Sequence, residues 1–238
     1  MALLEVEDLK VHYPVRGGLF RPKRFVRAVD GVSFRMEPGE TVGLVGESGC
    51  GKSTLGKALV RLEKPAAGRV LLNGLDMSTL RGRELRRARK NFQMIFQDPY
   101  GSLNPRLTVF SALDEVLALH FPLTKAERRE RAAKLLDRVG LSAGALDRYP
   151  HEFSGGQRQR IGIARALAAE PALIVADEPV SALDVSVQAA IINLLEDIRR
   201  ETGTAFLFIA HDLAVVEHIS SRILVMYLGR VVESAPSR

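Results

Sequence analysis

The chain has 238 residues, and its 46% hydrophobic and 26% charged residues give a globular balance that excludes collagen-like and disordered classes. Its single cysteine, Cys50, excludes an internal disulfide, and no Cys/His cluster has the spacing of a zinc site. Much of the positive charge behind the net charge of +6 lies in residues 16–27 and 81–90, which suit nucleic acid, anionic lipid or simply a solvated face. No apolar run approaches the roughly 18 residues of a membrane span, and the acidic start of the chain is unlike a signal peptide.

The N-terminal third of the chain predicts mainly β-strands, because short β-rich runs alternate with turn residues such as Pro38-Gly39. The predicted elements are strands at 3–9, 25–34 and 41–45, a helix at 52–63, and strands at 70–72 and 92–96.

The middle of the chain has a different character. Apolar residues recur at helical spacing between residues 107 and 148. We therefore expect a helical subdomain at about 98–149, inserted into a core formed by residues 1–97 and 150–238.

Strands and helices alternate in the last third. The predicted elements are helices at 157–169, 186–200 and 213–219, strands at 172–176 and 204–210, and a hairpin of 222–227 and 230–233 turning at Gly229. Such alternation predicts a parallel sheet covered by helices. The predicted fold class is α/β, with a mostly parallel sheet, an N-terminal antiparallel β part and the inserted helical subdomain.

A glycine-rich loop, GESGCGKST, lies between the predicted strand at 41–45 and the following helix and matches the P-loop pattern. Its glycines let backbone N–H groups surround phosphate oxygens, and the helix N-terminus adds partial positive charge. Lys52 is expected to reach the β- and γ-phosphates of ATP, and the Ser53 hydroxyl to ligate Mg²⁺. The predicted nucleotide-binding residues here are Gly46, Glu47, Ser48, Gly49, Cys50, Gly51, Lys52, Ser53 and Thr54.

Two further strand ends carry polar side chains. The apolar run LIVA ends in Asp177 and Glu178, and ligands of open α/β sheets bind at the carboxyl ends of strands. Asp177 is therefore a candidate Mg²⁺ ligand and Glu178 a candidate to polarise the attacking water, the alternative being a solvated strand end. His211 follows the strand at 204–210 and is a candidate for the γ-phosphate, although a histidine there is often only a surface or core residue.

The segment FSGGQ precedes the helix predicted from residue 157. Ser154 suits an N-cap, and Gly155 and Gly156 leave backbone amides uncovered, which makes this turn a second potential anion site. On physical grounds alone, a simply capped helix is the more economical interpretation.

Together these segments resemble the ATP-binding subunit of ABC transporters over nearly the whole chain. GESGCGKST resembles the Walker A loop, LIVADE Walker B, FSGGQ the family signature, and SALD at 181–184 the D-loop. The resemblance implies a P-loop NTPase core, with Tyr13 stacking on adenine. It implies that Glu178, His211, Gln97 and Lys52 are catalytic, that Ser53, Gln97 and Asp177 hold Mg²⁺, and that Ser154, Gly155, Gly156 and Gln157 bind the ATP of a second subunit.

Three longer segments, HYPVRGG, QDPYGSLNPR and ADEPVSALDVSVQ, resemble the oligopeptide/dipeptide importers, to which nickel importers are related. This resemblance implies an ATP-hydrolysing subunit that powers import of peptides or a similar solute. The implied partners are a second ATPase subunit in a head-to-tail homo- or heterodimer, transmembrane permease subunits and, indirectly, a periplasmic solute-binding protein. The implied location is peripheral, on the cytoplasmic side of the inner membrane. Members of this branch usually continue beyond the point where ESAPSR ends, so we expect their C-terminal extension to be absent.

Two other functions compete with import. A soluble ABC ATPase acting on nucleic acid is supported only by the two basic segments, and no nucleic-acid partner is expected. A P-loop kinase of small molecules would leave FSGGQ and SALD without a role.

Overall fold

The computed structural model describes residues 2–15, 24–98 and 101–237. Residues 16–23 of the first basic segment and residues 99–100 of QDPYGSLNPR therefore lie outside the described residues. The chain divides into two compact units, the first comprising Met1–Ala88 and Ala205–Arg238 and the second comprising Arg89–Thr204. The helical subdomain predicted at 98–149 falls within the second unit, and its boundaries stay a prediction.

The strands of the described chain are β1 (Leu4–Val15), β2 (Arg24–Met36), β3 (Thr41–Val45), β4 (Ala67–Leu72), β5 (Leu75–Asp76), β6 (Phe92–Ile95), β7 (Leu173–Asp177), β8 (Ala205–Ile209), β9 (Arg222–Tyr227) and β10 (Arg230–Pro236). The α-helices are α1 (Lys52–Leu59), α2 (Gly82–Ala88), α3 (Val109–His120), α4 (Lys125–Arg138), α5 (Gly155–Leu167), α6 (Val185–Thr202) and α7 (Leu213–Ile219).

Four strands of the first unit form an antiparallel sheet in the order β2-β1-β4-β5. Leu4 and Val6 of β1 are buried, and after a register shift the buried set continues with Leu9 and Val11. Asp8 lies within this irregularity with φ +45, and the extra residue moves the alternation by one position. The antiparallel β part predicted from the sequence is confirmed.

The remaining strands of the first unit pair mostly in parallel. Strand β3 pairs in parallel with both β8 and β9, and β10 returns antiparallel to β9. All five residues of β3 are buried, as expected for a strand covered on both faces. A Cβ on Gly43 would lie 2.2 Å from Cγ1 of Val216, so the missing side chain lets α7 pack directly on β3.

The second unit combines one parallel pair with most of the helices. Strands β6 and β7 pair from Phe92 with Leu173 to Ile95 with Ala176. Helix α4 begins with a reciprocal capping box between Thr124 and Glu127. Among the described residues, no helix is both long and apolar enough to cross a membrane.

Several predicted elements have other bounds in the structure; β1, predicted at 3–9, runs from Leu4 to Val15. Helix α1 ends at Leu59, earlier than predicted, because Arg61 adopts φ +55, which a right-handed helix cannot accommodate. Helix α2 lies inside the basic segment 81–90 and was missed, since Leu85 and Ala88 are too few apolar residues to give a helical period.

Candidate functional site

The glycine-rich loop connects the end of β3 to the start of α1 in the first unit. Gly46, Gly49 and Gly51 have φ values of +150, +79 and +111, which L side chains rarely adopt. A Cβ on Gly46 would lie 2.1 Å from the carbonyl oxygen of Met226, and one on Gly51 would lie 2.0 Å from that of Ala28. The loop therefore packs directly against main-chain carbonyl groups, and only glycine fits at positions 46 and 51.

Lys52 is the first residue of α1 and is only 5% exposed. Its Nζ donates hydrogen bonds to the carbonyl oxygens of Gly46 at 2.7 Å and Glu47 at 2.9 Å. The ammonium group thus closes the loop on itself. No acidic residue lies in the first turn of α1, and no side chain of the described residues caps it, so the helix start keeps its positive character.

Cys50 contributes its backbone to the loop. Its N–H donates to the carbonyl oxygen of Glu47 at 3.2 Å, and its carbonyl oxygen accepts from the N–H of Gly229 at 2.9 Å. The side chain is 6% exposed, and Sγ lies 3.9 Å from Nζ of Lys52. The geometry is that of a packed structural thiol.

His211 lies just beyond the end of β8, the strand that pairs with β3. The N–H of Ala210 donates to the carbonyl oxygen of Leu44 at 3.3 Å, so the end of β8 lies beside the strand that leads into the loop. Asp212 follows as the N-cap of α7, and its carboxylate accepts from the N–H of Ala214 at 2.9 Å. His211 therefore occupies a turn between β8 and α7, at the carboxyl ends of β3 and β8.

Tyr13 belongs to the same unit and reaches the other end of the loop. Its side chain lies near Thr54, the last residue of the predicted loop, and near Glu63, and both influence the pKa of its hydroxyl. Burial raises the pKa of the Tyr13 hydroxyl, and the Glu63 carboxylate raises it further. The structure thus brings Tyr13 close to Thr54, although the basic segment 16–27 lies between them in the sequence.

The predicted acidic pair lies in the second unit, with Gln97. Asp177 is the last residue of β7 and is 5% exposed, while Glu178 follows with φ +46. Nε2 of Gln97 donates to Oε2 of Glu178 at 3.0 Å, because β6 and β7 are parallel neighbours that end at the same edge. Two side chains that are 81 positions apart in sequence, Gln97 and Glu178, thus form one polar pair.

The FSGGQ turn lies in the second unit and begins α5 with a capping box. Oγ of Ser154 accepts from the N–H of Gln157 at 3.4 Å, and Oε1 of Gln157 accepts from the N–H of Ser154 at 3.1 Å. Gly155 and Gly156 occupy the first two helical positions, and no acidic residue lies in the first turn. Ser154 is the N-cap, as predicted, and Gln157 is its reciprocal partner, while α5 begins at Gly155 rather than at the predicted residue 157.

The backbone that supports the glycine loop was missed by sequence reasoning. Met226, Gly229 and Ala28 contact the loop through main-chain carbonyl or amide groups. Main-chain groups leave no residue-type signal, and only the predicted turn at Gly229 hinted at this contact.

Comparisons with known proteins identify the family of this chain. The family model described as ABC transporter matches residues 29–181. Among curated proteins, the chain is 57% identical over 233 residues to the oligopeptide transport ATP-binding protein AppF of Bacillus subtilis, covering 97% of this chain and 71% of that protein. It is 52% identical to the dipeptide transport ATP-binding protein DppF of Escherichia coli, covering 97% and 69%.

Solved structures share the fold. The dimeric ATP-binding cassette MJ0796, described in a post-hydrolysis state bound to ADP and phosphate, superposes with a TM-score of 0.87 at 30% identity and covers 99% of both chains. The structure of cbiO1 from Clostridium perfringens, described as part of the transporter complex cbiONQ, gives a TM-score of 0.82 at 27% identity, covering 99% of this chain and 89% of that one.

Proposed function

Because the chain belongs to the ABC transporter family, whose ATP-binding subunits are ATPases, we propose that it hydrolyses ATP to power the import of peptides through a membrane complex. The predicted family, fold class and enzyme class are confirmed. The peptide substrate is supported by relatives that are 52% and 57% identical and are named as dipeptide and oligopeptide transport proteins. None of the named relatives supports the alternative of an ATPase acting on nucleic acid.

The observation that carries the proposal is the buried Lys52 ammonium inside the glycine loop. A cation that is 5% exposed and held by two carbonyl oxygens is poised for a polyanion that approaches the same loop. We propose that Lys52 binds the β- and γ-phosphates of ATP while the amides of the loop, including that of Thr54, surround them. Tyr13 would bind the adenine from the Thr54 end of the loop.

The oxygen donors present fit Mg²⁺, which prefers one or two carboxylates together with hydroxyl or phosphate oxygens. Asp177 supplies a carboxylate that is 5% exposed at a strand end, where a nearby cation offsets the cost of burying charge. We propose Ser53, Gln97 and Asp177 as the residues that hold the ion. Bound there, Mg²⁺ would neutralise charge between the β- and γ-phosphates. The described residues contain no cluster of three His, Cys, Asp or Glu side chains, and a site of this composition does not require one.

Glu178 is proposed to take the proton of the water that attacks the γ-phosphorus. The bond between the water oxygen and phosphorus forms as the β–γ bridging bond breaks, and its electrons leave with ADP. The Gln97 amide orients the Glu178 carboxylate through their 3.0 Å hydrogen bond. His211 would stabilise the charge of the transferring phosphoryl group, so positioning and electrostatics supply most of the rate.

The signature turn, which is the FSGGQ segment at 153–157, is proposed to act on the nucleotide of a second ATPase subunit. The turn carries amides and the Ser154 hydroxyl but no lysine of its own, so it is an incomplete phosphate site. A head-to-tail pair would complete it with the partner's loop, and the related MJ0796 cassette is described as a dimer. We further propose permease subunits as membrane partners, a periplasmic solute-binding protein as the indirect source of substrate, and the cytoplasmic side of the inner membrane as the location.

The test of this proposal is the Glu178→Gln variant, assayed with the permease subunits and with peptide supplied by the solute-binding protein. Loss of a general base should lower ATP hydrolysis by about 100-fold or more, while ATP remains bound. The matched control is Glu217→Gln on the exposed face of α7, which should hydrolyse ATP at the wild-type rate. Hydrolysis at the wild-type rate by Glu178→Gln would disprove its assignment as the base, and ATP turnover without peptide accumulation would disprove peptide import.

A further inference from the structure

The signature turn packs tightly against the start of α6 within the second unit. A Cβ on Gly156 would lie 2.5 Å from Cγ1 of Val187, whereas a Cβ on Gly155 would lie at an ordinary 3.5 Å from Cδ2 of Leu183. Real Cβ atoms essentially never approach another heavy atom within 3.0 Å. Gly156 is therefore the position of the turn at which α6 leaves no room for a side chain.

Val187 is poorly able to move aside. Its β-branched side chain has one strongly preferred rotamer in a helix. The backbone around it is fixed, because the N–H of Gln188 donates to the carbonyl oxygen of Asp184 at 2.9 Å. The Gln188 side chain also donates to the carbonyl oxygen of Leu183 at 2.9 Å. The contact between Val187 and Gly156 is thus stiff on the α6 side.

The start of α6 is connected through a short turn to the proposed base. The N–H and the hydroxyl of Ser181 both donate to the carbonyl oxygen of Glu178, at 3.3 Å and 3.1 Å. The N–H of Leu183 donates to the carbonyl oxygen of Val180 at 3.1 Å. A continuous set of contacts therefore runs from Glu178 through this turn and α6 to the signature turn.

We propose that Val187 is a positioning residue for ATP hydrolysis, whose side chain sets the place of the signature turn relative to the segment that follows Glu178. The inference rests on the proposed function, in which Glu178 serves the nucleotide of its own subunit and the signature turn serves that of the partner. Val187 then joins the two roles within one chain, so that a shift at one nucleotide is transmitted to the other. The glycine at 156 is required for this packing as well as for any approach of phosphate.

The test enlarges residue 156 and then shortens residue 187 in the same chain. ATP hydrolysis is measured in the full chain assembled with its partners. Gly156→Ala should lower kcat by about tenfold or more, because its methyl group pushes the turn away from α6. Adding Val187→Ala to the same chain removes Cγ1 and should restore kcat to within about threefold of Val187→Ala alone. The matched control is Gly162→Ala on the same helix, where a Cβ would lie 4.0 Å from Oγ of Ser102 and kcat should stay at the wild-type value.

The outcomes separate the inference from the function on which it rests. Wild-type turnover in this assay reports the proposed function, while the ratios between variants report the role of Val187. If the double variant is as inactive as Gly156→Ala, the glycine acts only by admitting phosphate and the inference is wrong. Wild-type activity of Gly156→Ala would also overturn it.

A second comparison keeps the inference testable if Gly156→Ala does not fold. Val187→Ala alone should lower kcat by about threefold and weaken the cooperativity between the two ATP sites, with unchanged ATP affinity of the unpaired chain. Val187→Thr keeps the β-branched shape and should retain the wild-type values. Equal kcat and cooperativity for wild type and Val187→Ala would refute the positioning role.

Discussion

The glycine loop before α1 and the signature turn before α5 both place glycines at a helix start, but they satisfy that start differently. At α1, Gly51 is the N-cap without a side-chain cap, and the buried ammonium of Lys52 closes the loop. At α5, the side chains of Ser154 and Gln157 cap each other's backbone, and no cation belongs to the turn.

This difference indicates how the two sites depend on other molecules. The loop carries its own countercharge and rests on the backbone of Ala28 and Met226, so it is organised for an anion within a single chain. The signature turn satisfies the amides of Ser154 and Gln157 with its own side chains. A phosphate at the signature must compete with that cap and therefore needs further contacts from elsewhere, in agreement with the proposed pairing of two subunits.

Removing the ammonium group of Lys52 from the loop should have the largest effect on ATP hydrolysis. Lys52→Ala deletes the proposed phosphate contact and should lower kcat/KM for ATP by at least about 100-fold. The matched control is Lys57→Ala in the last turn of the same helix, which should keep wild-type kinetics. Strong residual hydrolysis by Lys52→Ala would show that the loop does not depend on its own cation.

The packing of the glycine loop against main-chain atoms can be tested by substituting two of its glycines. Gly51→Ala should destabilise the fold by about 1–3 kcal/mol or more and abolish ATP binding, since the oxygen of Ala28 lies 2.0 Å from the new Cβ. Gly49→Ala meets no atom of the described residues within 4 Å, and its positive φ should cost only about 1–2 kcal/mol. Thermal unfolding and nucleotide titration would compare them, and equal losses would mean that strain rather than contact decides.

The capping box of the signature turn should contribute less to the free energy of unfolding than the packing of the glycine loop. Gln157→Ala removes one half of the capping box and should lower the free energy of unfolding by about 0.5–1 kcal/mol. Gln157→Glu keeps an acceptor at the same position and should restore that loss. Chemical denaturation measures both, and an undiminished stability of Gln157→Ala would show that the cap does not hold the turn.

The prediction with the smallest expected effect compares the capping box of α5 with that of α4. In α4, Glu127 holds the position that Gln157 holds in α5. Hydrogen bonds from the Thr124 hydroxyl and amide hold the pKa of Glu127 below its ordinary value of 4.5. The pKa is depressed in the folded state, so the stabilisation is present above pH 4.5 and is lost as the pH falls through the folded-state pKa. The stability difference between wild type and Glu127→Gln should therefore shrink below pH 4.5, whereas that between wild type and Gln157→Ala should show no such change.

A pH-independent difference for Glu127→Gln would mean that its carboxylate makes no ionised cap. The Ser154–Gln157 box contains no titrating side chain, so it provides the internal reference for the same denaturation series.

The order of elements followed from the sequence because hydrophobic period and turn residues are local signals. Strand β3, helix α7 and strand β9 match the predicted ranges. Helix α2 was missed because its charged residues carry no apolar period, and the end of α1 was misplaced because the positive φ of Arg61 has no residue-type signature.

The sequence by itself determined which chemical groups this protein carries and their order along the chain. The glycine loop, the pair Asp177 and Glu178, and FSGGQ are each contiguous in the sequence, so they can be recognised without a structure. Only the tertiary structure decided which distant groups meet. The bond between Gln97 and Glu178, the seat of the loop on Ala28 and Met226, and the contact of Gly156 with Val187 depend on strand register and helix packing, which link residues far apart in sequence.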